Sequence, residues 1–166
     1  MHIVLEPLKE AEKNGIEMIG ADRAVCMVFP IFSSYVADYL EQCLVTCTKS
    51  TTCPKCCTTA DNLQDNTPAP LRTNSWTKSV FEDAKKMSSS PSAFHKKCME
   101  SDVSGGIYAP FWNGFPLTDI HHIITPDVLH QLNQGIFKHI VHWCQIILKP
   151  EELDRRIRAL PISYGL

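Results

Sequence analysis

The sequence predicts an α+β fold, because short β-branched segments occupy its first third and amphipathic helical segments follow them. Strands are predicted at residues 2–5 and 16–19, and a short helix that ends at Gly15 separates them. Another strand runs from residue 25 to about residue 29, and a helix or a further strand leads on toward Asp38. The strands are few for a complete sheet, so we interpret the chain as part of a larger domain.

Two amphipathic helices are predicted in the middle of the chain. The first spans residues 76–87, with Asn74 or Ser75 as its N-cap. The second begins after Ser90, has Pro91 at its first position and ends near Met99.

A long helix is predicted next, with Thr125 as its N-cap and Pro126 at its first position. Apolar residues then recur at the spacing of one buried helical face; they are Leu129, Leu132, Ile136, Ile140, Cys144 and Ile147. Pro150 ends this helix and opens a last short helix through Arg158.

Composition narrows the class of protein. The 166 residues fit one domain or part of one, and 44% are apolar, which is enough for a packed core. No run approaches the ~18–20 apolar residues of a membrane span, and the N-terminus lacks the pattern of a secretory signal, so an intracellular protein is expected. The net charge of -2 argues against a self-sufficient DNA binder and leaves DNA contact to a local patch.

Five of the eight cysteines crowd into fifteen residues, which favours a metal site over a disulfide scaffold. Cys53 and Cys56 have the two-residue spacing with which one turn directs two thiolates at a zinc ion. Cys47 and Cys43 can complete a tetrahedral, structural zinc site, whereas Cys57 points elsewhere. The other ligands can instead be histidines, namely His121, His122 or His130, and the cysteines can also be free thiols.

Asp127 and His130 lie three residues apart at the start of the long helix, where their side chains can meet. They form either a metal-binding or catalytic pair, or an ordinary first-turn Asp satisfied by a neighbouring His.

Several segments carry a resemblance to a known family. They are FPIFSSYVADYLEQCLVTCTKSTTCPKC, APFW, ITPDVLHQLNQGIFKHIVHWC and ELDRRIRALP. In this order they resemble the transposases of fungal Plavaka elements, which are related to the KDZ group and more distantly to CACTA-type transposases. The resemblance covers nearly the whole chain and is weakest over residues 62–102.

The resemblance implies a portion of an RNase H-like transposase core with a cysteine-rich, zinc-binding insert, acting on transposon-end DNA in the nucleus. Enzymes of that fold use three acidic residues to hold two Mg²⁺ or Mn²⁺ ions for phosphodiester cleavage and strand transfer. Asp127 and His130 match the family's Asp-x-x-His, and Asp22 and Asp38 match its Ala-Asp pairs. These four residues are the candidate catalytic residues.

The resemblance and the composition together divide the chain into four parts. A partial core spans residues 1–42, the cysteine-rich segment 43–60, a helical insert and linker 61–117, and the long and terminal helices 118–166.

Departures from the family pattern weigh against activity of the isolated chain. Family members are much longer, and their first and last acidic residues are expected outside this sequence. His139 stands alone where the family has Asp-His. The expectation is therefore a transposase segment that is inactive by itself. A zinc-stabilised protein- or DNA-interaction module is the alternative, and a metal hydrolase built on Asp127, His130, His121 and His122 is a third possibility.

Overall fold

The computed structural model describes residues 2–62, 64–106 and 109–161. Helices and two small sheets share the chain, so the predicted α+β class is confirmed. The chain divides into two compact units, the first ending at Thr125 and the second beginning at Pro126. No helix within the described ranges is long and apolar enough to cross a membrane.

The first unit opens with helix α1, His2–Asn14, so the strand predicted at residues 2–5 is wrong. Leu5, Lys9 and Glu12 face the interior at helical spacing. Packing of this face stabilises a helix, although Ile3 and Val4 have a preference for strands. Glu12 is almost fully buried and accepts hydrogen bonds from Leu117 N at 2.6 Å and Thr118 Oγ1 at 3.2 Å. Helix α1 therefore anchors the segment that follows the Phe111–Trp112 pair.

Four short strands form two separate two-stranded sheets. Strands β1 (Ile16–Ile19) and β2 (Val25–Val28) lie where the sequence predicted strands. They make an antiparallel hairpin with Ile16 opposite Val28. Strands β3 (Tyr35–Ala37) and β4 (Ile124–Pro126) make the other sheet.

Helix α2 spans Tyr39–Val45, and its N-cap Asp38 accepts a hydrogen bond from Glu41 N at 2.8 Å. A short 3₁₀ turn, Ala60–Asn62, follows the cysteine-rich segment.

Helix α3 (Asn74–Met87) confirms the predicted helix but not its cap. Thr73 is extended and accepts from Trp76 N at 3.1 Å, so it is the N-cap in place of Asn74 or Ser75. Asn74 instead donates from its side chain to Thr118 O at 2.8 Å.

Helix α4 (Pro91–Met99) has Ser90 as N-cap and Pro91 at its start, as predicted. It packs on α3 through stacked rings of Phe81 and Phe94.

The core of the first unit lies between α2, α3, α4 and the segment from Val103 to Ile124. Trp112 is completely buried at its centre, and its indole Nε1 donates to Val45 O at 2.8 Å. A short helix α5, Ile120–Ile123, runs along this core, with Asp119 as its N-cap. The segment with two adjacent histidines is therefore helical, with His121 buried and His122 exposed.

The second unit contains a π-helix at Val128–Phe137, helix α6 at Lys138–Leu148 and helix α7 at Pro150–Arg158. The start of α7 at Pro150 is as predicted. The predicted N-cap of the long helix is wrong, because Pro126 belongs to β4 and Asp127 caps the helix.

The buried face predicted for the long helix is also wrong. Its aliphatic positions are 44% to 77% exposed and Cys144 is half-buried; the aliphatic ones are Leu129, Leu132, Ile136, Ile140 and Ile147. The first ten residues follow π geometry, so the 3.6-residue period on which that face was predicted does not hold there.

Candidate functional site

The Cys53-Pro54-Lys55-Cys56 segment, here called the CPKC loop, forms a tight turn on the surface of the first unit. Lys55 N donates to Cys53 Sγ at 3.4 Å, and Cys56 Sγ lies 3.1 Å from Thr58 Oγ1. Burial acts to raise the pKa of Cys56, but hydrogen bonds from Thr58 and Cys53, together with the charge of Arg72, bring this pKa below its usual value. The loop therefore favours a thiolate, which is the form that binds zinc.

The backbone of the CPKC loop is held from outside by two residues distant in sequence. Arg72 Nε donates to Cys53 O at 3.0 Å and to Cys56 O at 2.9 Å, and Arg72 N donates to Lys55 O at 2.9 Å. His121 Nδ1 donates to Pro54 O at 2.7 Å. All four carbonyl groups of the loop are thus hydrogen-bonded, and its shape is fixed by protein contacts alone.

His121 has both ring nitrogens engaged. Pro54 O can only accept, so Nδ1 carries the proton and Nε2 accepts from Thr77 Oγ1 at 2.8 Å. Burial lowers the pKa of His121, which keeps the ring neutral. The structure therefore gives His121 a supporting role for the loop, where the sequence suggested a metal ligand.

Cys43 lies beside the CPKC loop, whereas Cys47 does not. Cys43 is buried at the end of α2, and its thiol is hydrogen-bonded to Tyr39 and interacts electrostatically with Cys53. Cys47 points into the core next to Cys98, and burial raises its pKa to about 12. The four predicted zinc ligands are thus separated into Cys43, Cys53 and Cys56 on one side and Cys47 on the other. Within the described ranges, no three His, Cys, Asp or Glu side chains already stand in the arrangement of a metal site.

Asp127 and His130 make the contact that their spacing predicted. The Asp127 carboxylate accepts from the backbone N of His130, and Asp127 Oδ2 lies 2.7 Å from His130 Nδ1. The hydrogen bond from the His130 side chain lowers the pKa of Asp127, so the carboxylate is ionised at neutral pH. Asp127 therefore caps the helix and at the same time orients the imidazole ring of His130.

The other two candidate acids also serve the backbone of their own elements. Asp22 lies in the β1–β2 turn, where its Oδ1 accepts from Ala24 N at 3.0 Å. Asp38 caps α2, as described above. Over the described part of the chain, neither joins a group of three ligating side chains.

Comparison with known families identifies the chain. A family model described as Plavaka transposase matches residues 1–144 of the 166. The chain belongs to the Plavaka transposase family. No curated protein and no protein of solved structure matches it.

The Plavaka transposase match includes all the candidate site residues. It spans the CPKC loop with Arg72 and His121, and it extends past Asp127 and His130 to Cys144. Sequence reasoning missed Arg72, since a single arginine sixteen residues beyond Cys56 carries no local signal. Within this Plavaka transposase family member, the cysteine turn and the Asp-His pair are therefore the two sites to explain.

Proposed function

We propose that this chain is a zinc-stabilised, DNA-contacting segment of a Plavaka transposase that does not cleave DNA without further residues. The observation that carries the proposal is the CPKC loop, whose two cysteines and hydrogen-bonded backbone lie within the region that matches the family.

The donors of the CPKC loop fit zinc. Thiolate sulfur is a ligand that zinc prefers, and the hydrogen bond from Lys55 N to Cys53 Sγ orients that sulfur. Cys53 and Cys56 would hold the ion, and Cys43, which interacts electrostatically with Cys53, would be the next ligand. Cys47 was expected to be a ligand, but its place beside Cys98 favours a core role instead. Zinc bound in this way supplies folding energy and no chemistry.

Contact with DNA is supported by a local excess of positive charge on paired helices. Helices α3 and α4 together carry five lysines against two acids; the lysines are Lys78, Lys85, Lys86, Lys96 and Lys97. Lys86 also pairs with Asp83, and Lys97 with Glu100 at the end of α4. A near-neutral protein can bind phosphates through a local group of lysines, with an affinity that falls as salt rises.

The lack of independent cleavage is supported by what the candidate acids do. Asp22, Asp38 and Asp127 each bond to the backbone of their own element. Two-metal cleavage in an RNase H-like core needs three such groups at one place.

A second candidate function rests on the Asp127–His130 hydrogen bond. An ionised carboxylate beside an oriented imidazole suits divalent-metal binding or proton transfer in the complete transposase. There, Mg²⁺ or Mn²⁺ would stabilise charge at the reacting phosphodiester.

Zinc content of the purified, reduced protein tests the first part of the proposal. About one zinc per chain is expected, with loss in the Cys53→Ser/Cys56→Ser variant and retention in the Cys57→Ser control, which alters the adjacent cysteine. Well-folded wild-type protein without zinc would overturn the zinc site.

Binding and cleavage of a labelled duplex test the rest. Salt-sensitive binding that weakens when Lys85 and Lys96 are both changed to Gln is expected, without nicking in Mg²⁺ or Mn²⁺. Nicking that disappears in Asp127→Asn would instead support the second candidate and refute the claim of no independent cleavage.

A further inference from the structure

Arg72 is an arginine buried among the backbone atoms of the CPKC loop. It is 4% exposed and stands next to Leu71, which pairs with Cys56 in an isolated antiparallel bridge. Its Nε is shared between Cys53 O and Cys56 O, the first and last carbonyls of the loop. One side chain thus joins the two ends of the turn that carries both thiols.

The remainder of the guanidinium lies over the Trp76 ring, with Cζ 4.9 Å from the ring centroid. Asp119 lines the same cavity as Arg72, and no ion pair between the two is seen within the described ranges. Among the described residues, Nη1 is a buried side-chain nitrogen without a hydrogen-bond partner. A buried cation is costly unless a negative charge lies nearby.

Besides Asp119, the thiols of the CPKC loop and Cys43 can supply that negative charge. The charge of Arg72 acts on both Cys43 and Cys56, and both cysteines lie at the site proposed for zinc. A zinc ion bound by three thiolates carries one net negative charge, and one bound by four carries two. A single arginine therefore offsets half or all of the charge of the complex.

We propose that Arg72 is the positioning residue of the zinc site, holding the CPKC loop in its binding shape and balancing the charge of the zinc–thiolate complex. This inference rests on the zinc site proposed above. It gives the buried cation a partner and explains why an arginine, with several donors in one plane, occupies this position.

Three substitutions separate the two roles of Arg72. Arg72→Lys keeps the charge but loses the planar fork, Arg72→Gln keeps hydrogen-bond donors without charge, and Arg72→Met keeps neither. Lys78→Met is the matched control, because Lys78 also lies over a tryptophan, with Nζ 5.9 Å from the Trp112 centroid.

The experiment measures zinc affinity by chelator competition, together with the thiolate-to-metal absorption of the Co²⁺-substituted protein. We expect zinc affinity to fall roughly 10–100-fold in Arg72→Met, the range for loss of a residue that supports metal ligands. Lys and Gln should each restore part of the affinity, and Lys78→Met should match wild type. The Co²⁺ absorption of Arg72→Met should shift or weaken even at saturating metal.

Affinity within twofold of wild type in a folded Arg72→Met protein, with an unchanged Co²⁺ spectrum, would overturn the role of Arg72 and leave the zinc site intact. If Arg72→Met does not fold, equal affinities of wild type and Arg72→Lys would overturn it. Wild-type protein that binds neither metal would overturn the zinc site itself. In that case, hydrogen exchange tests whether Arg72 still holds the shape of the CPKC loop. Exchange at the Lys55 and Cys57 amides should be faster in Arg72→Lys than in wild type, and equal rates would overturn this role.

Discussion

His121 links three parts of the first unit, and its removal should destabilise the whole fold. It donates to Pro54 O at 2.7 Å, accepts from Thr77 Oγ1 at 2.8 Å, and lies with its ring centroid 6.5 Å from that of Trp112. Only 2% of the residue is exposed. The substitution His121→Ala removes both hydrogen bonds and leaves two buried polar atoms unpaired.

The size of the effect follows from these contacts. Each of the two buried hydrogen bonds contributes about 1 kcal/mol net, and the lost ring packing adds about 1 kcal/mol more. We therefore expect the free energy of unfolding to fall by about 3 kcal/mol. For a chain of this length, that corresponds to a Tm lower by roughly 6–12 °C.

The contribution of His121 should also depend on pH. Burial lowers its pKa in the folded protein, whereas the unfolded chain has a pKa of about 6.5. Below pH ~6.5 the unfolded state binds a proton that the folded state excludes, so stability is complete above this pH and declines as pH falls toward the folded pKa. The decline approaches about 1.4 kcal/mol per pH unit.

Urea unfolding of wild type and His121→Ala between pH 5.5 and 7.5, at fixed zinc concentration, measures both effects. The stability gap between the two proteins should be largest at pH 7.5 and should narrow below pH ~6.5. His122→Ala is the control, since it changes the adjacent exposed histidine of the same helix. A gap that is constant with pH, or equal losses in both variants, would refute the reasoning.

Three further predictions concern single contacts. Trp112→Phe removes the donor to Val45 O and should lower the free energy of unfolding by about 2 kcal/mol, seen as a lower urea midpoint; an unchanged midpoint would contradict this. Asp127→Ala removes the N-cap of the π-helix and should speed hydrogen exchange at the His130 amide, whereas Asp127→Asn should largely preserve protection. Glu152→Gln removes the carboxylate charge that accepts hydrogen bonds from Arg155 and Arg156, so amides of α7 should exchange faster, and more so at low salt; exchange equal to wild type would show that this charge adds nothing.

The parts of the fold that were predictable are those whose signals are local. Strands β1 and β2 were predictable from their apolar, β-branched residues, α4 from its N-cap serine and α7 from the proline at its start. The strand predicted at residues 2–5 was wrong because a short run of three apolar residues, Ile3 to Leu5, fits a strand or a helix equally well. The deciding face, which includes Lys9 and Glu12, appears only when later residues pack against it.

Prediction of the site was limited in the same way. The two-residue spacing of Cys53 and Cys56 indicated a turn with two thiols, and that turn is present. The residues that fix its shape are far along the chain, since Arg72 reaches back nineteen residues to Cys53 and His121 reaches back 67 to Pro54. Contacts of such separation depend on how helices α3 and α5 pack, which no local pattern encodes.

Cys47 shows why closeness in sequence did not make a common site. It follows α2 with φ of 57°, a left-handed conformation normally taken by glycine at a helix C-terminus. There Cys47 N donates to Leu44 O at 3.2 Å and Thr48 N to Cys43 O at 2.8 Å, the pattern that ends a helix and reverses the chain direction. The reversal sends the Cys47 side chain into the core beside Cys98, away from the CPKC loop. Four residues earlier, Cys43 lies before the turn and keeps its interaction with Cys53. The helix end between them, rather than the number of intervening residues, therefore decides which cysteine can join the zinc site.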